Sequence, residues 1–281
     1  MAVSCADYEF VRKLVHDRSS IALGVGKEYL VEARLAPVAQ REGLDSVSDL
    51  VQAVRVGGPR LREAVVEAMA TNETSFFRDI HPFDALRDTV IPAVLAANGG
   101  LRLSMWSAAA STGQEAYSMA LVICEHFRNV PNVMILATDL AGDVIARAKT
   151  GRYSQLEVNR GLPAAMLVKH FERDGRYWQL KPAVRDMVSF AQLNLSRPLR
   201  KVPLMDVVFL RNVLIYFDTP MKAAVLAEVA RVLRPGGYLF LGASETTLGI
   251  DDSYERVPVG HTTSCYRYTG ADRGNRVTAH H

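Results

Sequence analysis

Cysteine is scarce in this sequence, and its few copies are isolated. The 281 residues include three cysteines, Cys5, Cys124 and Cys265, which lie far apart and form no C-x-x-C pair. An odd, scattered set of thiols argues against a disulfide framework and against a thiolate zinc site. The seven histidines form no H-E-x-x-H or similar cluster, so we expect no metal site. This cysteine usage is typical of the reducing cytoplasm, where we expect the protein to reside.

Long apolar runs are also missing. No stretch approaches the roughly 18 residues that suggest a membrane-spanning helix, and residues 1–10 lack the basic start and apolar segment of a secretory signal. We therefore expect no direct insertion into a membrane. The formal net charge of +3 is too small to indicate nucleic-acid binding. With 49% hydrophobic and 22% charged residues, the composition is that of a folded chain with a sizeable core.

Residues 1–70 predict helices only. Apolar residues recur at helical spacing in four segments, which glycines at 24, 26, 43, 57 and 58 separate. Ser46 precedes Asp49 by three residues, which indicates a capped start for the third helix. Four short helices do not easily form an enzyme core, so this region is interpreted as an accessory N-terminal domain.

Beyond residue 101, short β-rich runs alternate with helical segments. Strands are predicted over 101–106, 133–138, 188–195, 206–210 and 238–242. The alternation is typical of an α/β fold whose parallel sheet carries helices on both faces. Residues 160–187 interrupt it with a predicted helix and hairpin, which we interpret as a small β insertion. Two further β-rich runs, 254–259 and 264–268, predict a terminal hairpin.

Two features follow the first two predicted strands, at the edge where open parallel sheets bind ligands. The loop at 107–115, SAAASTGQE, has small side chains that let a ligand approach the backbone, and Gly113 permits a tight turn into the next helix. Asp139 ends the second strand, where a carboxylate can accept hydrogen bonds from both hydroxyl groups of a ribose. Together they indicate an adenosine-containing ligand. Capping of the following helix is the alternative role for Asp139.

Phosphate-binding loops are absent, which narrows the choice of that ligand. The sequence has no G-x-x-x-x-G-K-[ST] motif and no G-x-G-x-x-G motif, so a P-loop nucleotidase and a dinucleotide-binding enzyme are both disfavoured. Residues 242–246, GASET, lack the second glycine of a hydrolase nucleophile elbow. A ligand without phosphate groups, such as S-adenosylmethionine, remains.

Three longer motifs resemble the signature blocks of one family. TNETSFFR at 71–78, WSAAASTGQE at 106–115 and RNVLIYF at 211–217 are similar, in order and spacing, to blocks of the chemotaxis receptor methyltransferases, the CheR family. The resemblance implies a class I S-adenosylmethionine-dependent methyltransferase fold, which is Rossmann-like with a mostly parallel seven-stranded sheet. It implies methylation of glutamate side chains on chemoreceptor cytoplasmic helices. Residues 1–70 would then dock the receptor, and residues 71–281 would form the catalytic domain, with 160–187 inserted in it.

The resemblance also implies site residues. Cofactor contacts fall on Asn72, Thr74, Arg78, Glu115, Asp139, Asn194, Leu195, Arg211 and Asn212. Tyr216 lies where the family has an aromatic residue near the reactive methyl group. Two positions depart from the family pattern, with Ala116 in place of an expected proline and Gln114 in place of a frequent glutamate. Simpler alternatives are a surface ion pair for Arg78 and a packing role for Tyr216.

Methylation of a glutamate needs no general base, because its carboxyl group, with a reference pKa of about 4.3, is already ionised at neutral pH. The motifs accordingly supply no Ser-His-Asp or Cys-His pair. Attack of a carboxylate on a sulfonium methyl group removes both charges, so alignment and exclusion of water are the expected sources of catalysis. Arg78 is predicted to position a carboxylate, either the cofactor's or the substrate's, and Tyr216 to shape the path of the methyl group.

A basic stripe is predicted on the second helix. Lys27, Arg34 and Arg41 repeat every seven residues and share one helix face. The stripe could dock on an acidic receptor helix, or it could be solvated surface, since neighbouring glutamates dilute it. Two other functions stay open from the residues alone. One is a class I methyltransferase for RNA or a small molecule, and the other is a non-enzymatic S-adenosylmethionine-binding signalling module.

Overall fold

The structure is a computed structural model that describes residues 3–259 and 263–270. Its first four helices are α1 (Cys5–Ser19), α2 (Glu28–Arg41), α3 (Val47–Val56) and α4 (Pro59–Met69). Local chemistry explains where three of them begin. The side chains of Ser4 and Ser46 accept hydrogen bonds from the N–H groups of Asp7 and Asp49, and Pro59 occupies the first turn of α4. The cap predicted at Ser46 is therefore confirmed.

The helices and strands of the remaining described residues alternate along the chain. The later helices are α5 (His81–Ala85), a π-helical turn (Leu86–Val90), α6 (Ile91–Ala97), α7 (Gln114–His126), α8 (Gly142–Thr150), α9 (Gln155–Asn159), α10 (Ala164–His170), α11 (Pro182–Arg185), a 3₁₀ turn (Leu214–Tyr216) and α12 (Thr219–Val232). The strands are β1 (Leu103–Ala108), β2 (Val133–Asp139), β3 (Arg152–Ser154), β4 (Phe171–Asp174), β5 (Tyr177–Leu180), β6 (Val188–Gln192), β7 (Met205–Leu210), β8 (Leu233–Leu241), β9 (Tyr254–Arg256) and β10 (Ser264–Tyr268).

The larger sheet has seven strands in the order β6-β2-β1-β7-β8-β10-β9. The first five in this order run parallel, and β10 is antiparallel to both of its neighbours. The predicted α/β class with a mostly parallel, Rossmann-like seven-stranded sheet is confirmed. From β1 the chain adds β2 and then β6 on one side, and β7 to β10 all lie on the other side. The order of strands therefore switches between β1 and β7. Ligands of open α/β sheets bind at such a switch point, beyond the carboxyl ends of the strands.

A second, three-stranded antiparallel sheet has the order β3-β5-β4. Strands β4 and β5 form a hairpin whose turn contains Gly175 at φ +57°, a conformation that glycine adopts without steric cost. Strand β4 begins at Phe171, directly after α10 ends at His170. The third strand, β3, precedes residue 160.

Four predicted strands have bounds in the structure that differ by two or more residues. Strand β1 covers Leu103–Ala108 instead of 101–106, and β9 ends at Arg256 instead of at 259. The run predicted over 188–195 ends as a strand at Gln192, and the next residue, Leu193, donates its N–H to the carbonyl oxygen of Asp139 at 2.8 Å. Strand β8 starts at Leu233, five residues earlier than predicted. The sequence RPGG at 234–237 forms an irregularity within it, where the pairing with β7 shifts register. Glycines can enter such bulges because they tolerate unusual backbone angles.

Buried apolar side chains cover both faces of the larger sheet. On one face they include Trp106, Val208 and Leu226, and this cluster continues without a break into the helical core of α1–α4. On the other face, Phe76 and Phe209 pack with side chains of α5, α6 and α7. A sheet covered on both faces explains why β1 and β7 are buried at every position. The core of the N-terminal helices is therefore continuous with the core on one face of the larger sheet.

Candidate active site

A cleft lies beyond the carboxyl ends of the central parallel strands. It contains about 680 Å³ of space that no protein atom fills, part of it open to solvent. Residues that follow β1, β2, β6 and β7 form one part of its lining. Ser19 and Ile21, at the end of α1 and just beyond it, contribute to the rest, together with the segment after α4. The helical region is thus part of the site.

The loop after β1 brings its backbone to the cleft. Ala109 and Ser111 line the cleft and have φ values of +60° and +50°, which are uncommon for residues other than glycine. Gly113 has φ +93°, and a Cβ atom there would lie 3.1 Å from the Cβ of Ala148 and 3.2 Å from the ring of Phe190. Only glycine combines this angle with this close packing. Backbone strain of this kind is commonly retained at functional sites.

Asp139 ends β2, is buried, and lines the cleft. One carboxylate oxygen accepts the N–H of Ser111 at 2.8 Å, and the other accepts the N–H of Ala141, the residue before α8, at 3.0 Å. Burial raises the pKa of Asp139, and these backbone hydrogen bonds oppose the rise. A carboxylate has about four acceptor positions, so each oxygen retains capacity for one further donor. The bond to Ala141 closes a turn before α8 and does not cap an N–H group of that helix. The ribose-binding role of Asp139 stays a prediction.

Arg211 is the first residue after β7 and belongs to the third motif block, and its side chain contacts the other two blocks. Its side chain is only 1% exposed, and it donates to Glu115 at 3.0 Å, to Asp79 at 2.7 Å and to the carbonyl oxygen of Arg78 at 3.0 Å. Burial raises the pKa of Glu115, and the charge of Arg211 opposes this; Ser107 also donates to Glu115, at 2.8 Å. The Nε atom of Arg211 is buried and has no hydrogen-bond partner. Arg211 lines the cleft, and this unpaired donor is suited to an anionic ligand group.

The first motif block lies beside this network. Asn72 lines the cleft, and its carbonyl oxygen accepts the hydroxyl of Ser111 at 2.9 Å. Arg78 is half-buried and donates one hydrogen bond to the carbonyl oxygen of Glu73, at 3.0 Å. Thr74 is half-buried and, like Arg78 and Glu115, lies outside the lining of the cleft. The structure therefore brings the predicted residues of this block to one locality, with Asn72 in direct contact with the cleft.

The segment after β6 forms another part of the cleft lining. Asn194 and Leu195 both line the cleft, and Leu195 is buried. The amide of Asn194 donates to the carbonyl oxygen of Arg18 in α1 at 2.7 Å, and its oxygen accepts the N–H of Ser196 at 2.9 Å. Asn194 thus joins the strand edge to the helical region. The third motif block adds Asn212 and Tyr216 to the lining.

One residue absent from the sequence predictions organises that third block. Glu245 is buried and accepts hydrogen bonds from four backbone N–H groups, three of them in the block. In sequence, GASET at 242–246 indicates only an incomplete nucleophile elbow. The available signal for Glu245 was an acidic residue just beyond a buried strand, with no basic neighbour in sequence. Ser19 and Ile21 carry no chemical signature, and only the fold reveals their position at the cleft.

The three residues of the predicted basic stripe have different environments. The guanidinium group of Arg34 donates to the carbonyl oxygens of Met69 and Ala70, at 2.6 and 3.2 Å, and to the hydroxyl of Thr71 at 2.9 Å. Arg34 thereby holds the end of α4. Arg41 is exposed and pairs with Asp143 of α8 at 3.1 Å. Lys27 is exposed at the start of α2.

Across residues 3–259 and 263–270, no helix is long and apolar enough to cross a membrane. In the same part of the chain, no group of three or more His, Cys, Asp and Glu side chains is arranged to hold a metal ion.

The sheet order and the cleft at its switch point define the class I methyltransferase fold. Residues 72–262 match the family model described as CheR methyltransferase, SAM binding domain, and residues 6–70 match that of the CheR methyltransferase, all-alpha domain. The chain therefore belongs to the CheR methyltransferase family and is an S-adenosylmethionine-dependent methyltransferase. The family predicted from the three motifs is confirmed.

Several similar proteins are bacterial chemotaxis methyltransferases. Chemotaxis protein methyltransferase 1 of Pseudomonas aeruginosa is 42% identical over 263 residues, which cover 92% of this chain and 96% of that protein. Chemotaxis protein methyltransferase Cher2 of Pseudomonas putida is 42% identical over 266 residues, with the same coverage. Chemotaxis protein methyltransferase 1 of Vibrio cholerae is 40% identical over 264 residues, which cover 92% of this chain and 95% of that protein.

The lining of the cleft fits S-adenosylmethionine. The cofactor presents a carboxylate, an ammonium group, a ribose diol and an adenine ring. The unpaired buried Nε of Arg211 matches the carboxylate, and the free acceptor capacity of Asp139 matches the diol. Small residues after β1 leave the backbone accessible. The chemistry of the donor set is thus consistent with this ligand.

Proposed function

We propose that the protein transfers methyl groups from S-adenosylmethionine to glutamate side chains of chemoreceptor cytoplasmic helices, giving methyl esters. The observation that carries the proposal is the convergence of all three motif blocks on one network around Arg211 at the cleft. The names of the relatives, which cover more than 90% of both chains, support chemotaxis as its setting. The site of action is then the cytoplasm.

The cleft residues have distinct roles in this proposal. Asp139 holds the ribose hydroxyls, and Asn194 with Leu195 forms the adenine side. Arg211 contributes its free Nε to the cofactor carboxylate, and its other nitrogens hold Glu115 in place. The remaining predicted cofactor contacts are Asn72, Thr74, Arg78, Glu115 and Asn212. Support for these roles comes from the positions of seven of the predicted site residues, Tyr216 included, on the cleft lining.

Bound S-adenosylmethionine supplies an activated methyl group on sulfur. The acceptor carboxylate is ionised at neutral pH, so no residue of the chain has to remove a proton. What the chain provides is alignment and a site with little water. Arg78 and Arg211 offer two guanidinium groups for the two carboxylates that meet there, the cofactor's and the acceptor's. Tyr216, on the cleft wall, shapes the approach of the acceptor.

Residues 1–70 serve as the docking domain in this proposal, and residues 71–281, with the 160–187 insertion, as the catalytic domain. The exposed basic residues Lys27, just before α2, and Arg41, at its end, would meet acidic positions of a receptor helix, which speeds encounter at low salt. Arg34 contributes less to docking, because its guanidinium group already donates hydrogen bonds to carbonyl oxygens at the end of α4.

The test is transfer of radiolabelled methyl groups to a purified receptor cytoplasmic fragment, followed by mild alkali. We expect label in the protein that alkali releases as methanol, which identifies a carboxyl methyl ester. Label that resists alkali would indicate an amine acceptor and contradict the proposal. Absence of label despite cofactor binding would contradict a receptor glutamate as the acceptor.

Arg78→Ala provides the matched variant for the same assay. Loss of a positioning guanidinium should reduce turnover by about 100-fold, while the melting temperature stays close to wild type because Arg78 donates a single hydrogen bond to the chain. Turnover within about threefold of wild type would contradict the positioning role.

A further inference from the structure

Glu245 follows β8 and accepts an unusual number of backbone hydrogen bonds. One carboxylate oxygen accepts the N–H groups of Gly242 at 2.7 Å and Asn212 at 2.8 Å. The other accepts those of Val213 at 2.9 Å and Ile215 at 3.3 Å. The residue is only 6% exposed. A buried carboxylate that satisfies four donors is a strong constraint on the backbone that carries them, because hydrogen bonds to an ionised acceptor are stronger than neutral ones.

Three of the four donors belong to the segment that forms one wall of the cleft. Asn212, Val213, Tyr216 and Phe217 line the cleft, and Asn212 has φ +56°, an angle that a residue other than glycine seldom adopts. Only a single 3₁₀ turn gives this segment regular structure. Its N–H groups at 212, 213 and 215 therefore depend on Glu245 for their hydrogen bonds.

The packing around Gly242 leads independently to the same contact. A Cβ atom at this position would lie 2.7 Å from a carboxylate oxygen of Glu245, 2.8 Å from the side-chain nitrogen of Asn212 and 3.0 Å from its backbone nitrogen. The backbone angles of Gly242 are not of the left-handed kind. Glycine is required here by close approach, so the carboxylate and the wall of the cleft are fitted to each other without spare room.

We propose that Glu245 is a positioning residue for methyl transfer. It lies outside the lining of the cleft and acts through the segment 212–216, which it holds at the distance that the cofactor and the acceptor need. A carboxylate is required because all four partners are donors. In Glu245→Gln, the amide nitrogen would face two N–H groups and repel them, and the segment would shift.

The experiment compares Glu245→Gln with Asp206→Asn. Asp206 is also buried and also accepts a backbone N–H, from Ser104 at 2.8 Å, but at the amino ends of β1 and β7, opposite the cleft. For Glu245→Gln we expect cofactor affinity, measured by calorimetry, to fall at least about tenfold and kcat by about 100-fold, with the KM for the receptor fragment unchanged. For Asp206→Asn we expect a lower melting temperature with cofactor affinity and kcat within about twofold of wild type.

Glu245→Gln with cofactor affinity and kcat within about twofold of wild type would overturn the proposal, as would equal kinetic losses in both variants. Gly242→Ala tests the same contact and keeps the carboxylate, so it applies even if Glu245→Gln does not fold. It should weaken cofactor binding at least about tenfold, and unchanged binding would overturn the proposal. Only the kinetic measurements, kcat and the KM for the receptor fragment, rest on the proposed function. Calorimetry needs no receptor, so failure of receptor methylation would not be confused with failure of this inference.

Discussion

Replacement of Arg211 by methionine should expose how much the chain depends on one buried guanidinium group. Methionine keeps much of the side-chain volume and removes the partner of Glu115, whose side chain is only 12% exposed. Breaking a buried ion pair from one side costs about 3–5 kcal/mol, because it leaves an uncompensated charge. Asp79 is half-exposed, so loss of its contact adds little. At about 2 °C per kcal/mol for a chain of this size, the melting temperature should fall by about 6–10 °C.

The energetic coupling between Arg211 and Glu115 provides the control. In Arg211→Met with Glu115→Gln, no buried charge remains unpaired, so the double variant should recover at least about half of the lost free energy of unfolding. Thermal unfolding followed by calorimetry measures all three variants and wild type. The reasoning would be refuted if the melting temperature of Arg211→Met fell by less than about 2 °C. Strictly additive changes in the free energy of unfolding in the double variant would also refute it.

The pH dependence of the single variant follows from Glu115. Burial raises its pKa in the folded chain, and in Arg211→Met the opposing charge is gone. The folded state then binds a proton more readily than the unfolded state, so stability rises as the pH falls from neutral towards the pKa of the unfolded carboxyl group. The difference in the free energy of unfolding between Arg211→Met and wild type should therefore become smaller on acidification. A difference that grows would show that the unpaired charge of Glu115 is not what destabilises Arg211→Met.

Three further outcomes are expected. Because burial raises the pKa of Asp139, its protonation on acidification should weaken cofactor binding; calorimetry should show this pH dependence in wild type and not in Asp139→Asn. Burial raises the pKa of Cys265 to about 12. A thiol reagent at mildly alkaline pH should therefore modify exposed Cys5 and leave Cys265 unreacted in the folded protein. Equal rates of modification at Cys5 and Cys265 would refute this. Arg34→Ala should lower the melting temperature by about 2–6 °C through loss of its hydrogen bonds to the end of α4, whereas Lys27→Ala should leave it unchanged and raise the receptor KM.

Much of the fold and of the candidate site could be predicted because the relevant signals are local. Strand β2 was predicted to within one residue, since its apolar run and terminal Asp139 are contiguous in sequence. The alternation of strands and helices predicted the parallel sheet. The bounds of β8 were wrong, because PGG at 235–237 indicates a turn unless a neighbouring strand pairs across it, as β7 does.

The sequence by itself determined the composition, the helical and strand periods, the three motif blocks and hence the family, because each is a property of residues close together in the chain. The tertiary structure alone decided which side chains form hydrogen bonds within the protein and which line the cleft. It paired Arg34 with carbonyl groups 35 and 36 residues further along the chain, brought Ile21 to the cleft, and placed Glu245 against the backbone of the third block. Such contacts depend on how helices and strands pack. Packing is set by the whole buried core, so no local pattern encodes it.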